Sequence, residues 1–196
     1  MRKIEFIEIV EDRLPVKIHP RIIERYIGRA WNTVIYETFR KDFAGLDLYC
    51  KSYDSVAVSY DDVEDVYYSL SPIAFVQLPS SGNGVISIHS TKGKGIEFAA
   101  SRGEMHDIQN GLEVGTLTGP IPYWTINNRI EYGNTGGIDT IDSVRMRIIP
   151  QFEALDMTDE FYFPVGSDER VLELVVQFAM GKQPEKEMND GNERTP

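Results

Sequence analysis

From Pro20 the chain reads PRIIERYIGRAWNTVIYETFRKD, with apolar residues at Ile22, Ile23, Tyr26, Ile27, Ala30, Trp31, Val34, Ile35 and Phe39. Intervals of three and four place these residues in one wide apolar stripe along a helix. Arg21, Glu24, Arg25, Arg29, Glu37 and Arg40 fall on the opposite face. Pro20 suits the first helical position, where a missing N–H costs nothing. Gly45, a few residues after Lys41, is the expected stop. At ~1.5 Å per residue the helix is roughly 30 Å long. Before it, Ile4–Leu14 reads as another helix, though IEFIEIV is equally compatible with a strand. Residues 1–53 are therefore expected to form a helical arm.

Between residues 54 and 150 the period changes. VAVSY, DVYYSLSPIAFVQL, GVISIHS, GIEFAA, YWTINNRIEY and DSVRMRIIP alternate or run in β-branched and aromatic residues, separated by PSSGNG, TKGKG, LTGPIP and GNTGG. Glycine-rich turns at this spacing predict a central antiparallel β-sandwich or small barrel. RIEY–GNTGGID–TIDSVRMRI reads as a hairpin, and Pro72 and Pro79 suggest edge positions or bends. Residues 151–182 read as a linker and a short C-terminal helix. Ser167 or Asp168 is its expected N-cap, Asp168 and Glu169 sit at the positive end of its dipole, and Gly181 closes it. Residues 183–196, PEKEMNDGNERTP preceded by Gln183, have almost no apolar content and read as a disordered tail. The fold class is α+β.

Charge sharpens this division. The net charge is −11, yet residues 1–51 hold 10 Lys/Arg against 8 Asp/Glu and the remainder holds 10 against 23. An acidic body makes a poor clamp for nucleic acid, because phosphate binding depends on basic side chains displacing counterions. Cys50 is the single cysteine, so no intramolecular disulfide forms and a reducing, intracellular setting is expected. The charged N-terminus lacks the apolar stretch of a signal peptide, and no apolar run approaches membrane-spanning length, so a soluble protein without a membrane anchor is expected.

Candidate chemistry is sparse. His19, His89 and His106 are isolated in sequence, and Cys50 has no catalytic signature around it. TKGKGIEF lacks the spacing of a P-loop or a dinucleotide-binding turn. Asp61–Asp65 (DDVED) lacks the ligand ladder and central glycine of a calcium loop. SRGEMHD brings Glu104, His106 and Asp107 close in sequence with nothing to orient them. No catalytic residue, metal site or cofactor is expected.

Taken together, IIERYIGRAWNTVIYETFRKDFAGLDLYCKSY, VYYSLSPIAFVQLP, RIEYGN, VRMRIIPQF, DEFYFPVGSDERVLELVVQFAMGKQP and the Asn/Asp-rich end resemble one family. These are the ring, or head-to-tail connector, proteins of short-tailed bacteriophages, particularly the crAss-like phages. The resemblance runs from about Leu14 to Asn192 and is carried by overall pattern. It implies a virion protein in the neck or tail, assembled in the host cytoplasm into a ring expected to be twelvefold beneath the portal protein. Such a ring extends the DNA-ejection channel, which DNA traverses without sequence-specific binding, and docks other tail proteins.

The residues expected at contacts are Tyr26, Ile27, Trp31, Ile35 and Phe39 on the arm, Lys92 and Lys94 in the TKGKG loop, and Leu174 and Phe178 on the C-terminal helix. The arm stripe is expected to pack either between subunits or against the body. The competing expectation is a β-sandwich module binding a carbohydrate or protein ligand, with Tyr123 and Trp124 as a stacking platform.

Overall fold

Helix α1 spans Lys3–Arg13 and buries Phe6, Ile7 and Val10, which resolves the ambiguous N-terminal segment as a helix. The computed structural model describes residues 1–78, 83–91, 96–101, 120–133, 137–164 and 166–181. α2 covers Pro20–Lys41 with Pro20 at its first position, and His19 caps it by accepting the Arg21 N–H on Nδ1 at 3.3 Å. The helix ends before the glycine expected to stop it. Asp42 takes the C-cap, and its carboxylate accepts the Ala44 N–H at 3.0 Å, starting a 3-10 turn over Phe43–Tyr49 that contains Gly45. Strand β1 (Lys51–Ala57) then begins inside the predicted arm.

The C-terminal helix α3 (Ser167–Ala179) follows Gly166, whose φ of +84° turns the chain. Neither Ser167 nor Asp168 is the N-cap, and no side chain caps this end. The Ser167 hydroxyl instead lies 2.9 Å from the Tyr49 hydroxyl. Asp168 and Glu169 do occupy the first turn, and Gly181, at φ +70°, follows the helix end.

Helices α1, α2 and α3 bury their apolar faces in one core, together with Val76, Leu78, Ile149, Phe152 and Phe161. Lys3 is buried there too. Its ammonium meets Glu24 at 2.5 Å and donates to the Leu155 carbonyl at 2.7 Å, so the charge is paired and hydrogen-bonded as burial demands. Gly28, in the middle of α2, faces Glu153: an added Cβ would lie 1.8 Å from Oε1. Glu153 is exposed and its carboxylate is the mobile end of a flexible side chain. Gly28→Ala is therefore expected to displace that carboxylate into solvent and to raise stability by about 0.5–1 kcal/mol, because Ala is the better helix former. Urea titration measures the shift.

The described strands of the β-rich part form two sheets. A three-stranded antiparallel sheet has the order β1-β8-β4, with β4 at Val85–Ser90 and β8 at Ser143–Ile148. A five-stranded sheet has the order β2-β3-β7-β6-β5, built from Ser59–Asp61, Val66–Leu70, Arg129–Tyr132, Ile121–Ile126 and Phe98–Ala100 in that order. Val85, Ile88, Val144, Met146 and Ile148 of the first sheet share a second core with Ile121, Tyr123, Ile130 and Tyr132 of the other. The β-region is thus a sandwich. Two expectations are corrected. β5 pairs parallel to β6, which makes the larger sheet mixed. RIEY and SVRMRI do not form a hairpin: β7 pairs with β3 and β6, whereas β8 pairs with β1 and β4. Between them Ile138 and Ile141 are buried in the inter-sheet core, so burial carries the chain from one sheet to the other. Pro72 lies in the loop after β3, and Pro79 falls outside the described residues.

Candidate interaction surface

The apolar stripe of α2 is occupied within the chain. Ile27, Trp31, Ile35 and Leu174 are wholly buried, Phe178 is buried, and Tyr26 and Phe39 pack half-buried against the same core. Of the two roles expected for this stripe, packing against the body is the one the geometry shows. Ile27, Trp31, Ile35, Leu174 and Phe178 are thus covered by their own chain, whereas Tyr26 and Phe39 keep part of their surface exposed. Lys92 and Lys94, and the tail after Gln183, lie outside the described residues.

Tyr123 and Trp124 do not form a platform. Adjacent strand residues point to opposite faces. Tyr123 enters the sandwich core and donates to the Val85 carbonyl at 3.2 Å, and burial pushes its phenol up to about 12. Trp124 lies on the outer face, only 4% exposed, with its indole N–H donating to Glu131 Oε2 at 2.6 Å.

That outer face carries a charged cluster that sequence alone did not bring together. Arg129 stacks over the Tyr68 ring at 4.2 Å and reaches Glu131 at 3.1 Å, Glu64 at 2.9 Å and Asp61 at 3.3 Å. Its Nε and Nη2 nitrogens are not aligned for conventional hydrogen bonds, so the attraction is chiefly ionic. Asp61 Oδ1 also accepts the Val63 and Glu64 backbone N–H groups, at 3.1 and 3.3 Å. The backbone bond from Glu64 is the leading reason the Asp61 carboxyl sits below its ordinary value, with Arg129 adding to it. Arg129 thereby holds the β2–β3 turn, Asp61–Asp65, as an ordered acidic tip. Asp62, Val63 and Glu64 face solvent at its end, with Val63 90% exposed. Read in sequence, Arg129 is one charge in a strand. Its role appears only when β7 is paired beside β3.

A second surface lies where the helical core meets the three-stranded sheet. A shallow groove of about 200 Å³ is lined by Tyr49, Cys50, Lys51, Pro150 and Phe161, with Leu48 and Tyr162 at its margin. Those two are 60% and 71% exposed. β1 pairs with β8 on one side only, leaving its other edge open among the described residues. Cys50 is a poor nucleophile here, because burial pushes its thiol up to about 12 despite the nearby Arg147. Lys51 donates to Asp159 Oδ1 at 2.7 Å, pinning the segment that also pairs with the N-terminus through an antiparallel backbone β-bridge between Arg2 and Glu160.

The Lys51 bond is the main reason the Asp159 carboxyl lies below its ordinary value. A depressed folded-state pKa contributes stability above the unfolded value, and that contribution is lost as pH falls through the folded one. Asp159→Asn is expected to cost about 1 kcal/mol at neutral pH and to flatten the stability curve below the ordinary carboxylate range of about 3.9. Denaturation at a series of pH values tests both parts.

His19 is a helix cap and His89 is exposed on β4; His106 lies outside the described residues. Among the described residues no three His, Cys, Asp or Glu side chains are grouped to hold a metal ion, and no helix is long and apolar enough to cross a membrane. No protein-family model and no curated protein matches the chain.

Proposed function

We propose that this chain is a structural subunit of a ring in the neck of a short-tailed bacteriophage, placed below the portal, extending the channel through which DNA leaves and docking neighbouring tail proteins. The observation that carries the assembly part is the groove at the start of β1, a strand with one edge unpaired among the described residues, where Leu48 and Tyr162 expose apolar surface at 60% and 71%. Its volume of about 200 Å³ falls below the several hundred Å³ typical of a small-molecule site. An open strand edge with apolar side chains beside it suits a neighbouring protein chain better. The virion setting comes from the resemblance of the chain's segments to connector proteins. The acidic balance of the β-rich part suits a channel wall that DNA must pass without adhering.

The stripe of α2 is not available for these contacts, so in this reading the subunit presents a preformed body and neighbours meet its surface. The test combines the purified chain with a purified portal ring from a crAss-like phage, followed by sedimentation and electron microscopy. The expected product is a closed ring stacked on the portal. A chain that remains monomeric and leaves the portal bare overturns the proposal.

A further inference from the structure

The exposed residues of α2 form a basic strip. Arg21, Arg25, Arg29, Asn32, Tyr36 and Arg40 follow one another at intervals of four, four, three, four and four, and all face solvent. The strip runs for roughly 29 Å at ~1.5 Å per residue. The helix has two carboxylates, and both are turned to partners within the chain: Glu24 to Lys3 at 2.5 Å and Glu37 to Arg170 at 3.2 Å. Among the described residues, Arg21, Arg25 and Arg40 have no ion-pair partner, and Arg29 lies over the Phe178 ring at 4.5 Å. A protein of net charge −11 thus keeps an uncompensated line of arginines on one helix.

We propose that this face of α2 is a docking surface for a second copy of the same chain, which presents its Asp61–Asp65 turn. The inference rests on the self-assembly reading above and names the contact. Charge complementarity favours this occupant. Asp61, Asp62, Glu64 and Asp65 crowd a five-residue tip around the exposed Val63, and Arg129 offsets only part of their charge. Opposed patches of this kind set orientation and speed encounter.

A DNA duplex is the weaker candidate. Its charge extends well beyond the strip, while α1, which packs against α2, exposes Glu8, Glu11 and Asp12 and the β-rich body is acidic. The two patches also lie on different parts of the fold: α2 belongs to the helical core, and the turn joins β2 to β3 at one edge of the five-stranded sheet. A contact between them uses unlike surfaces of the two copies, which is the heterologous geometry that closes rings.

A charge-swap experiment tests this. One variant carries Arg21→Glu, which suits the positive end of the helix dipole, and Arg25→Glu, one turn further on; both sites are exposed and should leave folding intact. The other carries Asp62→Lys and Val63→Lys at the exposed tip. Circular dichroism checks that both fold. Sedimentation is expected to show the wild type assembling, each variant weakened roughly tenfold or more, and an equimolar mixture recovering assembly because each reversed patch finds its complement. Assembly of both variants at wild-type strength overturns this surface and leaves the ring reading standing. The sedimentation is repeated with the portal ring present, and a wild type that stays monomeric there and leaves the portal bare overturns both. Salt-sensitive duplex DNA binding that is lost in the Arg21→Glu, Arg25→Glu variant makes nucleic acid the occupant and overturns the proposal.

Discussion

Trp31→Ala is expected to lower stability by about 3–5 kcal/mol, the range for removing a large aromatic side chain from a packed core. Trp31 is completely buried, and its ring meets Tyr49, Phe163 and Phe161 edge-on at 5.3, 5.4 and 5.9 Å. Its indole N–H donates to the Pro150 carbonyl at 3.1 Å, so the substitution both opens a cavity and leaves a buried acceptor without its donor. Trp31→Phe separates the two effects. It keeps most of the packing and should recover more than half of the loss. Chemical denaturation measures both variants. A loss of a few tenths of a kcal/mol for Trp31→Ala means that this side chain is not the centre of the helical core.

Gly84→Ala is expected to cost about 3 kcal/mol by a different route, at the upper end of what overpacking usually imposes. A Cβ there would stand 2.6 Å from the Val76 carbonyl oxygen, 3.1 Å from the Val76 nitrogen and 3.2 Å from the Ile149 carbonyl oxygen. These are backbone atoms held by hydrogen bonds, Val76 N–H to Ile149 O at 3.0 Å and Ile149 N–H to Gly84 O at 2.8 Å. No rotamer change relieves the contact, so the backbones must separate and weaken bonds that cross from the loop after β3 to the end of β8. At Gly28, by contrast, the opposing atom is the end of an exposed glutamate, and the same substitution should stabilise. If thermal denaturation shows the two variants changing stability in the same direction, backbone crowding is not what requires glycine at position 84.

The helices were legible because each carries its own signal. The intervals of three and four in Pro20–Lys41 mark α2, and the apolar residues between Ser167 and Gly181 mark α3, whatever lies beside them. The β character of the middle and the overall α+β class were legible for the same reason: alternation and glycine-rich turns are properties of contiguous residues. The electrostatic division between residues 1–51 and the rest also lies on the surface of the sequence.

What covers each apolar face is a different kind of fact. The stripe through Ile27, Trp31 and Ile35 identifies a face to be buried but not its partner, and the tertiary structure covers it with α3 and the Phe152–Phe161 segment. Strand pairing follows the same logic. RIEY and SVRMRI look like a hairpin because they are near in sequence, yet the burial of Ile138 and Ile141 sends them to different sheets. The Arg129 cluster exists only once β7 lies beside β3. The basic strip of α2 likewise became visible only when Lys3 and Arg170, distant in sequence, were found to occupy Glu24 and Glu37. Periodicity is a local property and determined which faces of this chain are apolar or charged; which of them remain uncovered is set by long-range packing, and only the folded arrangement decided it.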